Sequence, residues 1–111
     1  MTTPIAVVTT VATREEAGKL AESLVSRRLA ACAQISEIDS CFHWQGELRH
    51  EREFRVLFKT TAEGYDAVEQ AIVELHPYDL PAIHAVALDR VHAPYAAWIV
   101  ANSSSSSSAA P

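Results

Sequence analysis

Glycine is scarce in this chain, with Gly18, Gly46 and Gly64 widely scattered among 111 residues. That leaves no glycine-rich loop of the kind that cradles a phosphate. Cysteine is nearly absent too: Cys32 and Cys41 form no CxxC pair, which excludes a zinc-finger or disulfide framework and fits free thiols in a reducing compartment. An odd separation also turns them to opposite sides of an unbent strand, against a disulfide between them. Nine Lys and Arg stand against 14 Asp and Glu, a formal charge of -5. A chain so poor in clustered basic residues is not built for a phosphate backbone, so nucleic acid is not an expected partner. No stretch reaches the roughly 18–20 consecutive apolar residues that span a bilayer, so no membrane partner is expected. No secretory signal is visible at the N-terminus, which makes cytoplasmic residence the expectation. No GxSxG, HExxH or nucleophile-plus-base spacing occurs, and the chain is not expected to be an enzyme.

What is present is the composition of an ordinary globular domain, 49% apolar and 21% charged. One domain over residues 1–102 is expected, followed by a flexible Ser/Ala-rich tail over 103–111 with nothing to bury. The most informative stretch is Leu75-His76-Pro77-Tyr78-Asp79-Leu80-Pro81. Pro77 lacks an amide hydrogen and disfavours helical geometry at His76, so a helix must end there. Pro81 holds Leu80 extended and aims the chain into a strand. An imidazole, a phenol and a carboxylate are thereby fixed in a stiff corner that this reading faces towards solvent.

The remaining elements follow from period and punctuation. Ile5 to Thr10 is a continuous β-branched run, read as a buried strand. Thr13 and Glu16 have capping-box spacing, and Ala17, Leu20, Ala21, Leu24 and Val25 continue as a helical stripe, with Arg27 and Arg28 placed in the last turn. Cys32 to Trp44 alternates as a long strand, bent or bulged near Ser36. Gln45-Gly46 supplies a turn, and Glu53 to Thr60 returns as its partner. A second helix covers Ala62 to Leu75 with Tyr65, Val68, Ala71, Ile72 and Leu75 inward. Ala82 to Leu88 reads as a fourth strand, and Pro94 starts a short helix at its N1 position, carrying Tyr95, Trp98 and Ile99. The order β-α-β-β-α-β implies an α+β, ferredoxin-like split-βαβ fold with an extended hairpin and a short C-terminal helix. Its second sheet face and long strand edges call for self-association.

Several segments taken together resemble one family. They are Arg28-Leu29-Ala30-Ala31-Cys32-Ala33, Ser40 to Phe42 with Trp44 and Gly46, Glu53 leading to Lys59-Thr60, His76-Pro77-Tyr78 with Pro81, and Tyr95 with Trp98. In register from about Ile5 to Ala101, they resemble the CutA family of divalent-cation tolerance proteins. The resemblance implies a homotrimer of ferredoxin-like subunits whose hairpins pair across subunit boundaries, and kinship with the trimeric PII signalling proteins. It also implies copper binding, which in some members involves a first-strand cysteine and a histidine beside the helix-ending proline. Here the first-strand position is Thr9, without sulfur, and Leu75 precedes His76; Ala82 stands where many relatives have an acid.

The candidate donors are therefore His76 and Cys32, for Cu(II) or another divalent cation, with no obligatory cofactor. His43 and His50 flank the hairpin turn with Glu47 and form a weaker group. A second reading takes Trp44, Glu53, Lys59 and Tyr78 as the lining of an intersubunit cleft for a small ligand, in a PII-like sensor or trimeric scaffold. Against both readings, Cys32 is explained equally by packing and the Glu53–Lys59 pair by a charge network on one strand face.

Overall fold

The computed structural model describes residues 3–103, which form one four-stranded antiparallel sheet and three helices. Strand β1 (Pro4–Val11) leads into helix α1 (Arg14–Ser26), strands β2 (Cys32–Trp44) and β3 (Glu47–Thr61), helix α2 (Tyr65–Leu75), strand β4 (Ile83–Ala87) and helix α3 (Ala93–Asn102). The strands are ordered β2-β3-β1-β4, so the first strand lies inside the sheet. Its apolar run is buried on both faces, as its composition requires.

Helix α1 starts as its sequence dictates. The Glu16 amide donates to Thr13 Oγ1 and the Thr13 amide donates to Glu16 Oε1, completing the capping box. It ends at Ser26, so neither Arg27 nor Arg28 lies in its last turn as expected. Arg27 is the C-cap, and Arg28 adopts a left-handed φ of 60° rather than continuing the last turn. The Arg28 amide donates to Val25 O and the Leu29 amide to Leu24 O, a Schellman ending with arginine in the usual glycine position. Arg28 then donates through its guanidinium to Ala101 O, tying this ending to α3.

Alternation separates the sheet into two faces. Val7, Val11, Val56 and Phe58 meet Ala17, Leu20 and Leu24 of α1 and Val68, Ala71 and Ile72 of α2 in one buried cluster. The opposite face carries Ala6, Cys32, Leu57 and Lys59, and α3 covers part of it through the buried Ile99 and through Tyr95. Some local details depart from expectation. Leu75 is 47% exposed, outside the inner stripe, because the chain has already begun to leave the helix for the proline corner. Ala62–Gly64 forms a separate 3₁₀ turn ahead of α2, β4 is trimmed to Ile83–Ala87, and Pro94 is the second residue of α3, not the first. Ser103, grouped with the tail by composition, is the buried C-cap of α3 and donates to Ile99 O. Residues 104–111 of the expected tail lie outside the described residues.

The hairpin is longer than alternation alone indicated. Strand β3 begins at Glu47, and its pairing with β2 runs from Trp44↔Glu47 to Cys32↔Lys59 with no bulge near Ser36. Gln45 and Gly46 both have positive φ, 52° and 81°, the two-residue turn whose twist suits a hairpin. β1 meets β3 only from Phe54 onward, so Glu47 to Glu53 and their β2 partners project as a two-stranded ribbon. Ion pairs from Arg52 to Glu37 and Asp39, and from Arg49 to Glu47 and Glu51, line it.

Candidate functional site

The proline corner folds inward at its first residue. His76 caps α2 with an extended backbone, as Pro77 demands, and the residue is 9% exposed, not turned to solvent. The Tyr78 amide donates to His76 Nδ1 at 3.1 Å, so that nitrogen is the acceptor and Nε2 carries the hydrogen. Nε2 donates in turn to Thr10 O at 2.8 Å, locking the end of α2 against β1. Both ring nitrogens are thus engaged within the protein.

Tyr78 packs edge-on against this ring at 4.8 Å and donates its hydroxyl to Glu53 Oε2 at 2.9 Å. Glu53 is only 7% exposed, and this hydroxyl supplies the partner that a buried carboxylate needs. Burial chiefly, then the hydrogen bond to Glu53 and its charge, hold the Tyr78 phenol well above the usual tyrosine range. Because the folded value lies above the unfolded one, the protonated phenol stabilises the fold below pH 10, and this contribution is lost as pH rises beyond it. Urea midpoints should therefore fall above pH 10, and Tyr78→Phe should reduce that fall. Tyr65, also raised by burial and by Glu69, leaves a residual slope. An alkaline profile identical in Tyr78→Phe would contradict the Tyr78–Glu53 account.

Between the corner and the ribbon lies an open cavity of about 870 Å³, lined by Phe42, Trp44, Glu53, Tyr78 and Leu80 among others. Three of the four expected cleft residues, Trp44, Glu53 and Tyr78, thus share one concavity within a single chain. Lys59 does not join them. It shares a strand face with Glu53, but six residues along a strand span about 20 Å. Its amine instead meets Tyr95 Oη and Gln34 Oε1, each at 3.3 Å, beneath α3.

The two expected metal donors are also apart. Cys32, half-buried, has its Sγ 3.9 Å from Tyr95 Oη on the α3 face, whereas His76 contacts Thr10 near the other end of β1. Cys32 pairs with Lys59, which pairs with Ala6; from Ala6 to Thr10 is about 13 Å along the strand. One ion cannot bridge that gap within the chain. Thr9 is buried, and its Oγ1 has no hydrogen-bond partner among the described residues. Among the described residues, no three His, Cys, Asp or Glu side chains are grouped to hold a metal ion.

The long hairpin, the proline corner and the C-terminal helix are here found together on one sheet. The sequence profile of the CutA1 divalent ion tolerance proteins matches residues 5–102, nearly the whole described chain. The chain belongs to this family. The divalent-cation tolerance protein CutA of Pyrococcus horikoshii is 34% identical over 96 residues, covering 86% of this chain and 94% of that one. Among solved structures, CutA from Synechococcus elongatus superposes with a TM-score of 0.89 at 36% identity, covering 94% of this chain and 93% of its own. A CutA from Archaeoglobus fulgidus, described as a periplasmic divalent cation tolerance protein, gives 0.84 at 31% identity over 86% of this chain and 94% of its own. The family is named for tolerance of divalent ions, not for a reaction. Among the described residues, no helix is long and apolar enough to cross a membrane.

Proposed function

We propose that this chain is a homotrimeric, ferredoxin-like divalent-cation tolerance protein that binds a divalent metal such as copper weakly and conditionally. The match to the CutA1 family across residues 5–102 carries this reading. The strand order β2-β3-β1-β4 supports the ferredoxin-like assignment, and exposed Leu48, Leu80 and Trp98, with the projecting ribbon, support association of copies. Binding is conditional because His76 offers a lone pair only when the Tyr78 amide leaves Nδ1. Cys32 is the second donor, a soft ligand suited to copper. Neither site is catalytic in this reading. The two free thiols fit the cytoplasm, although the Archaeoglobus relative is described as periplasmic.

The cavity beside Tyr78 favours one alternative: a PII-like sensor or trimeric scaffold whose cleft takes a small ligand, with metal incidental. Native mass spectrometry of the tag-free chain during Cu(II) titration separates the two. The expected result is a trimer that takes up an integral number of copper ions and then reaches a plateau. A monomer at micromolar concentration overturns the assembly. A trimer that stays metal-free, or adds copper without a plateau, overturns direct metal binding and leaves the cleft reading.

A further inference from the structure

The uninterrupted hairpin register places Cys41 directly opposite His50. Both are exposed, and Cys41 Sγ lies 3.9 Å from His50 Nε2. A metal between a thiolate and an imidazole, with bonds of about 2.3 and 2.0–2.1 Å, needs an S···N separation from ~3.6 Å at a tetrahedral angle to ~4.3 Å in line. The observed gap falls inside that range. From this we infer that Cys41 and His50 form a two-donor site on the ribbon for a soft, thiolate-seeking cation of the Cu(I) and Zn(II) class.

The donors select the ion. Thiolate and imidazole favour these cations over Mg(II), whose preferred ligands are oxygens. On binding, a sulfur–metal bond replaces the Cys41 S–H bond and the proton passes to solvent, while Nε2 donates its lone pair and Nδ1 retains the ring hydrogen. Because no third His, Cys, Asp or Glu completes a set among the described residues, water fills the remaining positions of a four-coordinate ion. The site is thus open to exchange, as a handling protein requires and a structural zinc site does not. The inference rests on the divalent-cation reading for its class of ligand, but not for its place in the fold, which is distinct from His76 and Cys32.

The test titrates the full chain with Zn(II), with Cu(I) under reductant and with Mg(II), each in competition with a chromophoric chelator. One tightly held Zn(II) or Cu(I) per chain is expected, beside the weak uptake assigned to His76 and Cys32, and no Mg(II). Cys41→Ser and His50→Gln should each weaken uptake by about tenfold or more, since losing even an outer partner of a metal ligand costs that much. Cys32→Ser and His76→Ala should leave this equivalent in place. Loading with Co(II) should give a thiolate-to-metal absorption that Cys41→Ser abolishes and Cys32→Ser retains. Both ribbon positions are exposed in the single chain, so far-ultraviolet circular dichroism should show the variants folded and native mass spectrometry should show their assembly unchanged. If uptake survives Cys41→Ser but fails in Cys32→Ser or His76→Ala, the ribbon site is overturned and the cation reading stands on its first donors. If the unaltered chain takes up neither Zn(II) nor Cu(I), the ribbon site is overturned, and the Cu(II) titration decides the cation reading separately.

Discussion

Truncating Phe58 to alanine is expected to lower the unfolding free energy by about 3–5 kcal/mol, the usual cost of emptying a buried aromatic position. Phe58 is fully buried on β3, an interior strand, and its cross-strand neighbours are Val7 on one side and Ala33 on the other. Across the sheet it belongs to the cluster that contains Leu24 of α1 and Ile72 of α2. The space left by its ring therefore opens between three elements that hold one another in place, and collapse around it would disturb all of them. Urea unfolding at fixed chain concentration reads the effect as a lower midpoint at an unchanged slope; holding concentration fixed removes any contribution from association. A loss below 1 kcal/mol would show that this cluster does not form the core.

His76→Ala has the next largest expected effect, about 2–4 kcal/mol. The ring is nearly buried, and its removal deprives the Thr10 carbonyl and the Tyr78 amide of their imidazole partners, each loss costing about 1–3 kcal/mol. Tyr78 would then be positioned less firmly against Glu53, so the damage reaches the cavity. His76→Asn keeps an acceptor for the Tyr78 amide but is too short to reach Thr10, and should recover part of the loss. The metal reading adds a second readout: weak Cu(II) uptake falls in His76→Ala. Lost stability with unchanged uptake would assign His76 to the fold alone. Stability equal to that of the unaltered protein would refute the two-sided imidazole clamp.

The parts of this molecule that sequence makes legible are those fixed by near neighbours. Thr13 and Glu16 announce a capping box because both of its hydrogen bonds close within one helical turn. The bounds of β2 follow from alternation that its own residues carry. The first half of β3 is harder, because Glu47-Leu48-Arg49-His50-Glu51-Arg52 is polar on both faces and has no core side to declare. Only the turn at Gln45-Gly46 registers it, and applying that register forward would have revealed the Cys41–His50 pair. Parity correctly put Glu53 and Lys59 on one face, yet the rise per residue separates them along it. The inward position of His76 was hidden for a different reason: its partner Thr10 lies on β1, far away in the chain. A proline corner states where a helix stops, but not which way the capping ring turns.

The central place of β1 has a consequence for the order in which the molecule assembles. Both neighbours of this first strand, β3 and β4, come later in the chain: Pro4 pairs with Thr61 and Ile5 with Ala87. During synthesis the N-terminal strand must wait, unpaired and apolar, while the hairpin closes locally through its two-residue turn. Loop closure over such distances is slow compared with hairpin formation. Strand β4 pairs only with β1, so the outer edge of the sheet cannot close until β1 is seated against β3.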